Sequence, residues 1–398
     1  MLRDKHIVIG VTGSIACYKA ADLASKLTQA GALVDVILTD AAQKFITPLT
    51  FRSLTGRAVF TDMYDPQSEL AEEHVALARR ADALIIAPAS ATTIARLAHG
   101  MADDLVALTA LATVAPVLVT PAMDAQMWAH TATVANVATL RERGVIIVGP
   151  AEGRLASGHS GQGRLVETET LIGALGIALG AVGDLARRRI VVSAGGTHEP
   201  IDPVRFIGNR SSGKMGFAIA EAARDRGAAV TLICGPTSIA TPYGIERIDV
   251  ETTTQMGEAV RCAARGCDAV IMAAAPADFR AAQPADQKIK RTGAALTVDL
   301  APNDDIIAGI SGDFVKVGFA AETQDLVENA RAKIAKKALD LIVANDVTAR
   351  DAGFAADTNR VTLISASGDV EELRLMSKRD VAERILDRVV AMIEAPRS

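Results

Sequence analysis

Short apolar segments alternate with Ala-rich amphipathic segments along nearly the whole chain, and this alternation limits the possible folds more than any other feature. In the first half, the segments predicted to be strands are His6–Val11, Val34–Leu38, Ala83–Ala87, Val117–Thr120 and Val145–Val148. Helical patterns separate them. Since parallel strands are joined by crossover helices, this order predicts a doubly wound α/β domain.

The alternation starts again after Gly183–Arg189, which we interpret as a domain boundary. The predicted strands of the second half are Ile190–Ser193, Ala229–Cys234, Ala269–Ala273, Val315–Phe319 and Leu339–Ala344. Residues 360–375 predict an antiparallel pair at the sheet edge, followed by a closing helix from Lys378. The sequence thus predicts two three-layer doubly wound α/β domains, residues 1–185 and 186–398.

Composition and charge exclude several classes of function. The 398 residues are 49% hydrophobic but only 3% aromatic, and the formal net charge is -5. Few aromatic side chains argue against stacking on single-stranded nucleic acid, and the negative charge gives no general attraction to nucleic acid or anionic membranes. The N-terminal segment has no apolar signal core and no long uncharged apolar run follows, so we expect a cytoplasmic protein without membrane or nucleic-acid partners. Any anionic ligand must be bound by a local site.

The four cysteines, Cys17, Cys234, Cys262 and Cys267, are scattered without the spacing of a metal site. They indicate neither a zinc centre nor a disulfide framework. We expect all of them to be buried free thiols, as is usual in a cytosolic protein.

The turn Gly10–Ala16 directly follows a predicted strand and opens a helix. Its glycines allow backbone amides to approach an anion at the positive end of the helix, and Ser14 adds a hydroxyl group. The turn does not match the GxGxxG pattern of dinucleotide sites, and any tight strand-to-helix turn uses glycine. Phosphate binding and a purely structural turn are both compatible with these residues.

The segment Gly208–Met215 nearly matches a Walker phosphate loop. Met215 stands where that loop needs a serine or threonine to bind Mg²⁺, so an ordinary ATPase is not indicated. The helix start could still bind a phosphate group or form a subunit contact.

Two basic patterns and one histidine complete the candidates. Lys288–Arg291 places three cations in four residues, and Lys333 and Lys337 lie on one face of a predicted helix. Each pattern fits either a solvated surface or a clamp for phosphate and for the charge that develops in phosphoryl transfer. His74, at the start of a helical stretch, fits a surface position or a catalytic one.

Taken together, the motifs resemble the bifunctional enzymes of coenzyme A biosynthesis in which phosphopantothenoylcysteine decarboxylase is fused to phosphopantothenate–cysteine ligase. The N-terminal motifs are Gly10–Ala16, Phe45–Leu49, His74, Ala87–Thr92 and Pro121–Trp128. The C-terminal motifs are Ser193–Thr197, Asp202–Ile207, Asn209–Gly216, Lys288–Lys290, Gly318–Thr323 and Ala344–Asp346. These ordered matches cover nearly the whole chain.

The resemblance implies that the first domain is flavodoxin-like and binds FMN. The expected cofactor residues are Gly13, Ser14, Thr39, Ser90 and Thr92, and the expected substrate residues are Met123, Asp124 and Met127. It further implies that His74 assists oxidation of the substrate cysteine, that FMN accepts a hydride from Cβ, and that CO₂ leaves from the resulting thioaldehyde. Return of the hydride gives 4'-phosphopantetheine.

The second domain, by the same resemblance, is Rossmann-like and uses CTP with Mg²⁺ to join cysteine to 4'-phosphopantothenate through an acyl-cytidylate. Lys288 would stabilise charge on the transferred phosphoryl group, and Asn209 would hydrogen-bond the intermediate without adding charge. The other expected nucleotide residues are Asp278, Asn303, Asp305, Phe319, Lys333 and Lys337. Arg205 is expected to bind substrate and to serve a neighbouring subunit. We expect a homo-oligomer with trimer contacts in the flavin domain and dimer contacts in the ligase domain.

Four positions depart from the family's pattern. Ser157 stands where a flexible clasp over the flavin has a proton-donating cysteine, and Asp124 stands for an asparagine. A thiol has a pKa of about 8.5, whereas a serine hydroxyl is a far weaker acid. His159, in the same loop, is either the replacement donor or a solvated histidine. Pro276 replaces a valine, and Asp304 replaces a proline.

Three functions are therefore compared. The leading one is a two-step enzyme in which CO₂ release persists and the final reduction depends on His159. In the second, only the ligase is active and the flavin domain is a scaffold. The third is a regulatory subunit that binds partners through the flavin domain; the presence of both Asn209 and Lys288 argues against it.

Overall fold

The structure, a computed structural model, describes residues 2–64, 72–291, 295–322, 326–346 and 356–395. It consists of two compact parts, Met1–Ala181 and Val182–Ser398, which we call unit 1 and unit 2. Among the motif residues quoted above, Thr323 lies outside the described residues.

Unit 1 alternates strands and helices in the predicted way. Its described strands are β1 (His6–Val11), β2 (Leu33–Leu38), β3 (Val59–Phe60), β4 (Ala83–Ala89), β5 (Val117–Pro121), β6 (Ile146–Ile147), β7 (Ala151–Arg154) and β8 (Ser160–Arg164). Its described α-helices are α1 (Cys17–Gln29), α2 (Pro48–Thr55), α3 (Glu73–Arg80), α4 (Ala91–His99), α5 (Leu105–Ala112), α6 (Ala125–Ala129), α7 (Thr131–Glu142) and α8 (Thr168–Gly180).

The first six strands form one parallel sheet in the order β3-β2-β1-β4-β5-β6. Without the two-residue β3, this is the strand order of flavodoxin-like sheets. Side chains alternate across a strand, so Ile7 and Ile9 pack with residues of α1, α2 and α8 on one face. Val8 packs with residues of α3, α4, α5 and α7 on the other. The predicted three-layer, flavodoxin-like architecture is confirmed; the sequence pattern missed β3 and the antiparallel β7–β8 hairpin.

Unit 2 repeats the alternation with more short strands. The described strands are β9 (Arg189–Ala194), β10 (Glu199–Pro200), β11 (Phe206–Ile207), β12 (Ala229–Cys234), β13 (Glu246–Asp249), β14 (Ala269–Met272), β15 (Phe279–Ala281), β16 (Leu300–Pro302), β17 (Val315–Glu322), β18 (Leu341–Asp346), β19 (Thr358–Asn359), β20 (Val361–Ser365), β21 (Val370–Glu372) and β22 (Met376–Ser377). The described helices are α9 (Lys214–Asp225), α10 (Thr253–Ala263), α11 (Leu326–Lys337) and α12 (Lys378–Glu394).

Eight of these strands form a sheet in the order β13-β12-β9-β14-β17-β18-β20-β21. It is parallel as far as β18, and β20 and β21 add the predicted antiparallel edge. Residues of α9 and α12 pack on one face, and residues of α10 and α11 pack on the other. Helix α12 begins at Lys378 as predicted, because the Ser377 hydroxyl accepts the Asp380 backbone N–H and caps it. No helix in the described ranges is long and apolar enough to cross a membrane.

All four cysteines are free thiols. Cys17, Cys234 and Cys267 are buried as expected, and burial raises the pKa of both Cys234 and Cys267 to about 11. Cys262 is exposed, so the expectation that all four are buried is wrong. It lies on α10 away from the buried face that Met256 marks.

Candidate active sites at two sheet edges

The predicted cofactor residues of unit 1 follow the carboxyl ends of neighbouring parallel strands. Gly13 and Ser14 follow β1, Thr39 follows β2, and Ser90 and Thr92 follow β4. Strand β1 lies between β2 and β4, so the connections after β1 and β4 leave in opposite directions along the sheet. Open α/β sheets bind ligands at such a switch point. The fold therefore brings these residues to one edge.

Thr12 joins the ends of β1 and β4. It is 1% exposed; its Oγ1 donates a hydrogen bond to the Pro88 carbonyl oxygen at 2.8 Å and accepts one from the Ser90 backbone N–H at 2.9 Å. The Ser90 hydroxyl in turn accepts the Thr93 backbone N–H and caps α4. Sequence reasoning missed Thr12 as a site residue, although its position inside the glycine turn was the available signal.

The start of α1 is an open positive helix end. No side chain caps it, and its first turn contains no acidic residue. Gly13 is required here because a Cβ would lie 2.6 Å from the Ala41 Cβ. Ser14 accepts the Ala16 backbone N–H at 3.2 Å. With the positive helix end and no neutralising carboxylate in the first turn, these residues fit a phosphate group.

A cavity of about 460 Å³ opens between the start of α1, the β5–α6 loop and the β7–β8 hairpin. Of the predicted residues, Ser14, Met123, Asp124 and Ser157 line it. The hairpin is held close to the β5–α6 loop, since the Met123 backbone N–H donates to the Gly163 carbonyl oxygen at 2.9 Å. A Cβ at Gly163 would overlap the Met123 carbonyl oxygen.

A buried cation also lines this cavity and was not predicted. Lys19, on α1, is 5% exposed. Its Nζ donates to the Leu165 carbonyl oxygen at 2.8 Å and pairs with Glu167 at 3.0 Å. The Lys19 ammonium group therefore lies at the end of the β7–β8 hairpin, and the Lys19 side chain forms part of the cavity wall.

Asp124, Ser157 and His159 lie together at the hairpin tip. Asp124 Oδ1 accepts the Gln126 backbone N–H at 3.0 Å, and its Oδ2 accepts the Ser157 hydroxyl at 2.7 Å. These two hydrogen bonds, helped by the charge of His159, outweigh desolvation and lower the pKa of Asp124 below its usual range. Asp124 is therefore a carboxylate that accepts the hydrogen bond of the Ser157 hydroxyl.

Seven predicted residues of unit 1 are not among those that line the cavity. His74 is half-buried in the first turn of α3, and Met127 on α6 is 49% exposed. The other five are Gly13, Thr39, Ser90, Thr92 and His159. The described unit 1 thus assembles the hairpin cluster but does not bring His74 to it.

Unit 2 contains a larger cavity, of about 710 Å³, at the carboxyl ends of β14, β17 and β18. All seven of the predicted residues Asn209, Asp278, Asn303, Asp305, Phe319, Lys333 and Lys337 line it. The switch point of this sheet lies between β9 and β14, where Gly196 and Ala275 form a bridge. The predicted residues come from five separate chain segments that only the fold brings together.

Hydrogen bonds fix several side chains in this cavity. Asn209 Nδ2 donates to the Pro276 carbonyl oxygen at 2.8 Å, and Asn303 Nδ2 donates to the Ala277 carbonyl oxygen at 2.9 Å. Asp305 pairs with Lys337 at 2.9 Å. Burial opposes ionisation of Asp305, but the hydrogen bonds from Lys337 and from backbone N–H groups outweigh it and lower the pKa of Asp305.

Sequence reasoning missed a polar network behind this cavity. Thr253, which lines it, donates its hydroxyl and its backbone N–H to Glu199 Oε1, each at 2.8 Å. Thr197 Oγ1 lies 2.9 Å from Thr253 Oγ1 and accepts the Ala277 backbone N–H at 2.9 Å. Asn345 also lines the cavity, and no described residue donates a hydrogen bond to its buried Oδ1. Thr197 and Asn345 belong to the motifs Ser193–Thr197 and Ala344–Asp346 but had no predicted role, and Glu199 and Thr253 belong to no recognisable motif.

Lys288 and Arg205 lie outside the lining of the unit 2 cavity. The Lys288 side chain is exposed, and Arg205 is half-buried beside the same segment. Within the part of the chain that the structure describes, no group of three or more His, Cys, Asp or Glu side chains could hold a metal ion.

Comparison with known proteins covers both units. Residues 1–176 match the family model "Flavoprotein", and residues 185–393 match "DNA/pantothenate metabolism flavoprotein C-terminal domain". The chain is 44% identical over 398 residues to the coenzyme A biosynthesis bifunctional protein CoaBC of Bacillus subtilis (strain 168), covering 98% of each chain. It is 45% identical over 397 residues to the CoaBC of Escherichia coli (strain K12), covering 98% of this chain and 97% of the relative. A crystal structure of a CoaBC C-terminal domain matches 53% of this chain and 98% of that one, with 37% identity and a TM-score of 0.47.

Proposed function

The chain belongs to the CoaBC family of bifunctional coenzyme A biosynthesis enzymes, which have a decarboxylase flavoprotein domain, and from this premise we propose that it performs two consecutive reactions. Residues 186–398 join cysteine to 4'-phosphopantothenate with CTP and Mg²⁺. Residues 1–185 then decarboxylate 4'-phosphopantothenoylcysteine to 4'-phosphopantetheine with FMN.

The observation that carries the ligase proposal is the convergence of the six predicted nucleotide residues and Asn209 on one cavity. Lys333 and Lys337 offer positive charge to a triphosphate, and Asn209 offers an uncharged donor beside the reacting acyl phosphate. Lys288 stabilises the charge of the transferred phosphoryl group. Mg²⁺ needs only one or two protein carboxylates when a nucleotide supplies phosphate oxygens, so Asp278 in the cavity wall suffices as a protein ligand.

The decarboxylase proposal is supported by the open end of α1 in unit 1. Ser14 and the backbone donors around it would hold the FMN phosphate. When bound, FMN supplies hydride acceptance and return. His74 assists removal of the substrate proton. Because the Ser157 hydroxyl already donates its hydrogen bond to Asp124 and is a very weak acid, His159 is the group at the hairpin tip that we assign as the proton donor.

Two observations favour the alternative in which unit 1 is only a scaffold. His74 lies outside the cavity, and Ser157 is engaged by Asp124. In that alternative the ligase is active and the flavin is bound without turnover.

Product analysis tests these proposals. The purified chain, given 4'-phosphopantothenate, cysteine, CTP and Mg²⁺, should release pyrophosphate and then CMP and form the amide. Given FMN and 4'-phosphopantothenoylcysteine, it should release CO₂ and 4'-phosphopantetheine. Amide without CO₂ would support the scaffold, and neither product would contradict both activities.

We further propose a cytoplasmic homo-oligomer with trimer contacts in unit 1 and dimer contacts in unit 2. Unit 1 exposes four large apolar side chains near its site, Ile15 (63%), Tyr18 (62%), Phe45 (53%) and Leu49 (70%), which a neighbouring copy could cover. Light scattering on the intact chain should report a mass of several copies. A monomer would contradict this proposal.

A further inference from the structure

A short turn in unit 2, Ile201–Arg205, holds the backbone of Ile289, the residue after Lys288, by hydrogen bonds. The Ile289 backbone N–H donates to Asp202 Oδ2 at 3.2 Å, and the Ile289 carbonyl oxygen accepts from Arg205 Nη2 at 3.1 Å. Both polar groups of Ile289 are therefore held by residues of one turn. The Asp202 side chain is 0% exposed, so water does not compete for these bonds.

The turn itself is built around the same carboxylate. Asp202 Oδ1 accepts the backbone N–H groups of Val204 at 2.8 Å and Arg205 at 2.9 Å. The Ile201 backbone N–H donates to the Arg205 carbonyl oxygen at 2.8 Å, and the Ala285 N–H donates to the Ile201 carbonyl oxygen at 2.9 Å. One oxygen of Asp202 thus organises the turn, and the other holds the Lys288 segment against it.

Asp202 is anionic in this position. Burial opposes its ionisation, but N–H donors from Val204, Ile289 and Arg205, together with the Arg205 charge, lower its pKa below the usual range. A carboxylate accepts stronger hydrogen bonds than a neutral amide. The hydrogen bond from the Ile289 backbone N–H to Asp202 is therefore charge-assisted.

The position of Lys288 depends on these hydrogen bonds to Ile289, because the Lys288 side chain itself is exposed. No described residue accepts a hydrogen bond from its ammonium group or pairs with it. A long cation without side-chain partners takes its position from its backbone.

We propose that Asp202, together with Arg205, is a positioning residue that places Lys288 for the ligase reaction; this rests on the proposed function of unit 2. Asp202 is not among the residues that line the unit 2 cavity. It fixes the peptide that follows Lys288, which lies outside the cavity lining, and so limits the loop conformations from which the ammonium group must reach the transferred phosphoryl group.

The test is a double-mutant cycle read as pyrophosphate release at saturating 4'-phosphopantothenate and CTP. Asp202→Asn keeps the shape but replaces one acceptor oxygen by a donor, which cannot accept the Ile289 N–H. Alone it should slow release about tenfold, the loss expected for one charge-assisted hydrogen bond. In a Lys288→Gln background it should cost less than about twofold, because the group it positions is gone.

Asp268→Asn is the matched control. Asp268 Oδ2 also accepts a backbone N–H, that of Arg189 at 2.8 Å, but it precedes β14 at the opposite edge of the sheet. This variant should lose a similar amount of thermal stability and keep the pyrophosphate rate in both backgrounds. Hydrogen exchange of residues 285–291 should be faster in Asp202→Asn and unchanged in Asp268→Asn.

Equal rate losses from Asp202→Asn in both backgrounds would overturn the inference, as would unchanged hydrogen exchange in residues 285–291. Wild type that releases no pyrophosphate contradicts the proposed ligase instead, and hydrogen exchange then decides alone whether Asp202 holds the segment.

Discussion

The two units share an architecture but differ in how completely one chain builds the predicted site. In unit 2, the six predicted nucleotide residues and Asn209 line one cavity, while Lys288 and Arg205 lie outside its lining. In unit 1, only Ser14, Met123, Asp124 and Ser157 line the cavity, while His74 lies apart from it. The seven residues of unit 2 lie on or after strand ends and on one helix beside them. The difference shows that the sheet places residues near its carboxyl edge, whereas residues on separate helices need additional packing to reach the site.

The two cavities also differ in how the charge of an acidic side chain is balanced. In the unit 2 cavity, the Asp305 carboxylate is matched by Lys337 at 2.9 Å, and Lys333 adds a further positive charge. In unit 1 the Asp124 carboxylate accepts from the uncharged Ser157 and a backbone N–H. The unit 2 cavity is therefore suited to an anionic nucleotide, whereas in the unit 1 cavity the Asp124 carboxylate has no ion-pair partner at hydrogen-bond distance among the described residues, although Lys19, Arg154 and Arg164 also line it.

The largest expected effect is in unit 2. Replacing Lys288 by glutamine should reduce ligase turnover about 100-fold or more, since removal of one group that stabilises transition-state charge has this cost. The exposed side chain should leave folding intact, which circular dichroism would check. Near-normal turnover of Lys288→Gln would remove Lys288 from the reaction.

Asn209→Asp should separate the two half-reactions. Asn209 Nδ2 donates to the Pro276 carbonyl oxygen at 2.8 Å; a carboxylate has no hydrogen to donate and would repel this oxygen and the acyl phosphate. We expect pyrophosphate release to continue and amide formation to stop. Pyrophosphate release serves as the internal control, and amide formed in proportion to it would contradict the assigned role.

The sequence predicted the site features that come from local patterns and missed those that depend on contacts between distant residues. The turn after β1 could be predicted because glycine, serine and a helix start form a local pattern. The hydrogen bonds of Thr12 and Glu199 could not, because their partners, Pro88 and Thr253, are 76 and 54 residues away. The hydrogen bond between Ser157 and Asp124 spans 33 residues and depends on the fold of the hairpin, which the helix and strand patterns did not indicate.

Unit 1 gives the next largest effect, measured by mass analysis of products from 4'-phosphopantothenoylcysteine. His74→Asn should abolish CO₂ release, because oxidation of the substrate cysteine loses its assisting base. His159→Ala should release CO₂ and the unreduced enethiol, limited to one equivalent per bound FMN because the hydride stays on the cofactor; the Ser157 hydroxyl, which donates to Asp124, is a poor proton donor. Equal yields of 4'-phosphopantetheine from wild type and His159→Ala would place the donor elsewhere. CO₂ from neither would support the scaffold alternative.

The smallest expected effect is a pH dependence confined to the β7–β8 hairpin. The Gln126 backbone N–H, the Ser157 hydroxyl and the His159 charge lower the pKa of Asp124 relative to about 3.9 for a free aspartate. A lowered pKa means that the carboxylate's contribution is complete above the unfolded-state value and is lost as pH falls through the folded-state value. Protonation makes Asp124 a weaker acceptor for Ser157, so the hairpin tip should open below about pH 4. Hydrogen exchange of residues 155–159, corrected for the intrinsic pH dependence, should accelerate there in wild type. Asp124→Asn cannot titrate and should show a flat profile, and a parallel acceleration in this variant would assign the opening to another group.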